Sequence, residues 1–194
     1  LEILENHGNH LISKGHAPRL WQMVGHVKDE GLDHWRYQLA LHLASGAAMR
    51  WALTQPEPME SKDRIAWLTL HLMAGRGEKA KHGARTLGAD AQRDGRPDLY
   101  FISQLLCHRV LMQLGDPEEA RRVLEKAEPP SDVFAHQKNA FLARAEILCG
   151  RYGEGLVLAQ AVSQHLHALP PDMAHDIRGE LASTFIFLGR IRDA

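Results

Sequence analysis

Thirteen histidines are the side chains best suited to acid–base or metal chemistry here, and their spacing decides what they can do. His7 and His10 stand three apart, so on a helix they share a face and could fill two corners of a tetrahedral site. His165 and His167 stand two apart. No His-Glu-x-x-His arrangement occurs, and no nearby cysteine or carboxylate completes a ligand set, so these read as surface or packing histidines. Cys107 and Cys149 each lie in an apolar stretch, where a free thiol packs as a small hydrophobe. Two cysteines so far apart make neither a disulfide framework nor a zinc motif, and they fit a reducing cytoplasm. No serine, histidine and aspartate group from spacing alone, and no Gly-x-x-x-x-Gly-Lys-Ser/Thr phosphate loop is present. The chain is therefore expected to be non-catalytic, with no metal and no cofactor.

Composition narrows the partners. Of 194 residues 44% are apolar, enough for a core, and 23 basic against 24 acidic residues leave a formal charge of −1. A duplex-binding surface shows a basic excess because phosphate neutralisation supplies its affinity. Direct nucleic-acid contact is not expected. No run approaches the roughly 18 apolar residues of a membrane span, and no signal peptide opens the chain. The chain starts at Leu1 inside an amphipathic run and stops at Ala194, where a second helix is due, so a fragment of a longer polypeptide is expected.

What must position any functional side chain is a ladder of glycines: Gly15, Gly46, Gly75, Gly115, Gly150 and Gly189, spaced by 29 to 40 residues. Four are followed five residues later by Ala80, Ala120, Gly155 or Ala194. A period near 34 with that small-residue offset predicts stacked helical hairpins. The first and second hairpins pair Leu1–Lys14 with about Pro18–Asp29, and Leu32–Ser45 with Ala47–Thr54. In the third, Ser61 and Asp63 open a helix whose apolar face is Ile65, Leu68, Leu72 and Met73, and a second helix runs from about Glu78 to Asp94. The fourth pairs Leu99–Leu114 with a helix opened by Asp116-Pro117-Glu118-Glu119, an order that suits a helix N-terminus. The fifth pairs Val133–Cys149 with Gly153 to about Leu169, and the sixth first-helix spans about Met173–Leu188. Three residues before the glycines stand Ile12, Leu43, Leu72, Met112, Ile147 and Ile186, all apolar. Trp21, Trp35, Trp51 and Trp67 all fall in the first third, where they are expected to pack between the opening hairpins.

In such an array the first helices line a groove, and positions 13, 10 and 6 before each glycine share a stripe. Those positions hold Asp33, Arg36 and Ala40; Lys62, Ile65 and Thr69; Ile102, Leu105 and Arg109; Gln137, Ala140 and Arg144; Asp176, Gly179 and Ser183. Arg36, Lys62, Arg109, Gln137 and Arg144 are thus the candidate contacts for a protein partner or small effector. Arg109 and Arg144 share an offset in consecutive repeats, so their forks are expected either to converge on a carboxylate or phosphate or to be paired locally.

The segments Leu-Gly-Asp-Pro-Glu-Glu-Ala at 114–120, Gly-Arg-Tyr-Gly-Glu-Gly at 150–155 and Leu-Gly-Arg-Ile-Arg-Asp-Ala at 188–194 resemble tetratricopeptide repeats. The resemblance covers nearly the whole chain and departs from the strict repeat in its variable length. It implies an all-α fold: a right-handed superhelix of antiparallel helical hairpins, an α-solenoid of about five and a half repeats forming one domain over 1–194. Chaperone-binding members carry Lys and Asn at the offsets of 10 and 6. Here Ile65/Thr69, Leu105/Arg109 and Ala140/Arg144 stand there instead, against a co-chaperone role. The opening run 1–15 with Leu20-Trp21, and later Ala168-Leu-Pro-Pro-Asp172, Arg178-Gly-Glu-Leu-Ala182 and Phe187-Leu-Gly-Arg190, are similar to the repeat region of LuxR-type ATP-dependent bacterial regulators, the maltose-regulator-like family. That likeness implies a signal-sensing array between an NTPase module and a helix-turn-helix, with those neighbouring domains as partners. The alternative is a free-standing adaptor holding one protein partner.

Overall fold

The computed structural model describes residues 2–27, 30–44 and 46–190; the repeat positions Leu1, Ser45 and Ala194 lie outside them. The described residues form helices and turns, with no strand among them. Contacts gather into two compact units, Leu1–Gly83 and Ala84–Ala194.

The first unit holds α1 (Glu2–Leu11), α2 (Ala17–Val24), α3 (Asp33–Leu43), α4 (Gly46–Thr54) and α5 (Ser61–Met73), with α6 (Gly77–Arg93) crossing the boundary. The second holds α7 (Pro97–Gln113), α8 (Pro117–Lys126), α9 (Asp132–Leu148), α10 (Tyr152–Ser163) and α11 (Pro171–Phe187). In the first unit α3 packs on α2, α4 and α5; in the second α7 packs on α8, α8 on α9, and α9 on both α10 and α11. Among the described residues no helix is long and apolar enough to cross a membrane.

Four glycines of the ladder are helix caps. Gly75, Gly115, Gly150 and Gly189 sit at φ of 74°, 81°, 81° and 69°. The residue after each returns its N–H to the carbonyl five back: Arg76 to His71 at 2.9 Å, Asp116 to Leu111 at 2.9 Å, Arg151 to Glu146 at 2.9 Å and Arg190 to Phe185 at 2.8 Å. Left-handed backbone brings the Cβ of an L-residue against its own carbonyl, so glycine closes these turns without strain. A Cβ added at Gly115 or Gly150 meets no atom within 4 Å, so the backbone is the whole cost of substitution there. Gly115→Ala and Gly150→Ala are each expected to lower unfolding free energy by about 1–2 kcal/mol in urea titrations; wild-type midpoints in both variants would refute the cap.

Three expectations shift. Ala44, at φ 48°, ends α3 in place of Gly46, which at φ 63° opens α4 instead. Gly95 closes α6 with the same bonding, Arg96 N–H reaching Ala91 O at 2.8 Å, although the 34-residue spacing does not select it. The second helix of the fifth repeat stops at Ser163 rather than about Leu169, followed by one 3-10 turn at Leu166–Ala168.

The small residues after the caps are contact points. Ala80 and Ala120 are buried, and a Cβ on Gly155 would stand 2.5 Å from the Ile147 side chain and 2.7 Å from the Ala143 carbonyl. Gly155 therefore lets α10 lie directly on α9. Ile147 and Leu72 are buried, whereas Ile186, in the same column, is 57% exposed. Two apolar clusters fill the second unit: Phe101, Leu105, Leu124, Ala127, Phe141 and Leu142, and Ala140, Ala143, Ala159, Val162, Ile177, Leu181 and Phe185. In the first unit the Trp51 ring lies 5.9 Å from Trp21 and 5.1 Å from Tyr37, and the buried Trp67 donates Nε1–H to the Gln55 carbonyl at 3.2 Å.

Candidate functional site

The five stripe residues divide between the units. Arg36 and Lys62 belong to the first, Arg109, Gln137 and Arg144 to the second. Lys62 is exposed on the first turn of α5. Arg36, expected along the groove, is buried: its Nε–H donates to the Val24 carbonyl at 3.2 Å, Nη1 meets Asp33 Oδ1 at 2.5 Å, and its guanidinium lies 5.8 Å from the Trp51 ring centre. A guanidinium enclosed in this way needs paired donors to offset desolvation, and the α2 carbonyl and Asp33 supply partners. Arg36 ties α3 to α2 and is inaccessible to a ligand.

In the second unit the stripe becomes a row of charges across α7, α9 and α11. Arg144 of α9 meets Glu180 Oε2 at 3.1 Å, and Gln137 donates its amide to Asp176 Oδ2 at 3.4 Å. Arg109 of α7 lies over the Phe141 ring, 5.8 Å from its centre, and its Nη1 stands 3.9 Å from Asp176 Oδ1. The forks of Arg109 and Arg144 thus face carboxylates of α11 instead of one shared ligand. The middle of the stripe points inward: Leu105 and Ala140 are core residues. Two polar atoms of this row, Gln137 Oε1 and Arg144 Nε, are buried without a hydrogen-bond partner among the described residues.

Spacing before the glycines finds Asp176 but not Glu180, which sits four residues further along α11. The signal that could have found it is that i,i+4 acidic pair, which puts two carboxylates on one helix face opposite the arginines.

His108, next to Arg109, is buried and donates Nδ1–H to the Ala120 carbonyl at 3.1 Å. Burial pushes its pKa down to about 4, helped by the Arg144 and Arg109 charges and opposed by the Ala120 bond. His71 is buried with no hydrogen-bond partner on either ring nitrogen among the described residues, and burial with the Lys79 and Arg76 charges lowers its pKa to about 4. Both are neutral packing residues at pH 7. His7 and His10 are exposed, and His165 stacks on His136 at 4.7 Å. No three His, Cys, Asp or Glu side chains cluster as metal ligands among the described residues.

A second ionic cluster fastens α8, α9 and α10. Arg151 spans Glu118 at 2.9 and 3.4 Å and also pairs with Glu146, while Arg121 bridges Glu118 at 3.4 Å and Glu146 at 3.9 Å. The Arg151 contact holds Glu118 down at about 2. Every charge here has an opposite neighbour across a helix junction, which makes the cluster a fastening rather than a ligand site.

No family model, curated protein or solved structure matches this chain.

Proposed function

We propose that the chain is a non-catalytic helical-repeat binding module, a right-handed superhelix of antiparallel hairpins in the manner of tetratricopeptide repeats. In this reading it is the cytoplasmic sensor array of a LuxR-type ATP-dependent bacterial regulator. A regulatory protein or small effector occupies the concave face formed by the first helices, and neighbouring domains of the parent chain receive the signal. The observation that carries the reading is the recurrent unit of first helix, hydrogen-bonded glycine cap and second helix, with a small residue where the second helix meets the first. Such units bury their apolar faces on neighbours and leave a polar face free for binding.

The test is the parent gene. It is expected to encode a phosphate-loop NTPase before residue 1 and a helix-turn-helix after residue 194, and deletion of 1–194 is expected to abolish effector-dependent transcription. A reading frame that adds neither module would sink the regulator assignment in favour of the free-standing adaptor.

A further inference from the structure

On the charged face of the second unit, Arg109 differs from the other arginine in the row. It is anchored over Phe141 and 36% exposed, and its guanidinium donates no hydrogen bond to any described residue. Its one counter-charge among the described residues, Asp176, stands at 3.9 Å, beyond hydrogen-bond range, and is itself 39% exposed. Arg144, at 33% nearly as exposed, differs in its pairing: it meets Glu180 at 3.1 Å, the Glu180 side chain is 13% exposed, and the Arg144 Nε is enclosed.

We infer that Arg109 is an oxyanion-binding site, at which a carboxylate or phosphate oxygen of a ligand takes the place of Asp176. The guanidinium carries five N–H donors in a planar fork that matches two oxygens of one such group. Its stacking on Phe141 fixes the stem, so little side-chain freedom remains to be lost on binding. The exchange gives up a long, solvent-screened contact and forms charge-assisted hydrogen bonds. Asp176, steadied by Gln137 at 3.4 Å, acts as a built-in competitor that keeps the fork neutralised when no ligand is bound. The site has one fork rather than two, because Glu180 already occupies Arg144.

This deepens the reading of the first-helix face as a binding face. Its test uses simple anions, so a failure would leave the regulator reading standing. The whole chain is titrated with inorganic phosphate and, separately, with succinate, following the arginine Nε–H signals by NMR. The Arg109 signal is expected to shift saturably with at least one probe, and phosphate alone or succinate alone identifies which oxyanion the site prefers. Asp176→Asn, which removes the competitor, is expected to tighten binding about fivefold, the scale of one screened ion contact. Arg109→Gln abolishes the saturable shift, and Arg144→Gln leaves the Arg109 titration unchanged. Should Arg144→Gln fail to fold, Arg144→Lys keeps the charge towards Glu180 and serves the same purpose. The inference is overturned if neither anion moves Arg109 in Asp176→Asn more than it moves the exposed Arg93, or if the Arg144 variant loses the Arg109 shift as well.

Discussion

Phe141→Ala is expected to lower the unfolding free energy by about 3–5 kcal/mol, the range for truncating a large aromatic in a close-packed core. Phe141 is 1% exposed on α9 and packs within the cluster of Phe101, Leu105, Leu124, Ala127 and Leu142, which joins three helices. Its ring also meets the edge of His108 at 5.6 Å and carries the Arg109 guanidinium. Removing it opens a cavity that rigid helix backbones close only in part, and it strips the support from a charged neighbour. Urea denaturation followed by circular dichroism measures the loss. A decrease below about 1 kcal/mol would mean that this junction repacks freely instead of forming a cooperative core.

The second large effect is acid sensitivity. His108 has a folded pKa of about 4 against its ordinary 6.5, so the unfolded chain binds more protons at intermediate pH. The stability linked to it is therefore complete above about pH 6.5 and is lost as pH falls towards 4. Between pH 7 and 5 the loss from His108 alone is about 2 kcal/mol. His71, lowered in the same direction, adds to it. The carboxylate Glu118, held at about 2, loses its contribution only below its ordinary pKa of 4.5, so the two kinds of group act in separate windows. Urea midpoints at pH 7, 6 and 5 test this. The His108→Gln variant, which retains an amide donor for the Ala120 carbonyl, is expected to flatten the profile, and an unchanged slope in it would show that His108 is not the group responsible.

Much of the helical framework is legible in the sequence because its punctuation is chemical. A helix end that needs left-handed backbone selects glycine, so Gly75, Gly115, Gly150 and Gly189 mark caps by residue type alone. The start of α8 is equally legible, since Asp116 caps by accepting the Glu119 N–H at 3.1 Å and Pro117 needs no donor. Ala44 stays hidden because a left-handed alanine carries no signature in the sequence. The charged row is legible as a set of helix positions and not as a set of contacts. Arg144 and Glu180 stand 36 residues apart, and only the packing of α11 on α9 brings them together. Arg36 escapes sequence reasoning for the same reason: its acceptor is the backbone carbonyl of Val24, which no side-chain pattern announces.

The caps also divide the chain into rigid and adjustable lengths. Three residues separate α5 from α6, α7 from α8 and α9 from α10, and in each case the glycine N–H bonds the carbonyl three back and the next N–H the carbonyl five back. The connections that follow a second helix are less uniform: six residues at 55–60, five at 127–131 and seven at 164–170, while 94–96 keeps three residues and the Gly95 cap. Mutation that lengthens or shortens the gene therefore meets two different constraints. A codon gained at 128–130 falls between the buried Ala127 and Ser131, the N-cap of α9, whereas a codon lost from 114–116 removes a member of the capped turn. Duplication of one helix pair together with its spacer preserves every cap.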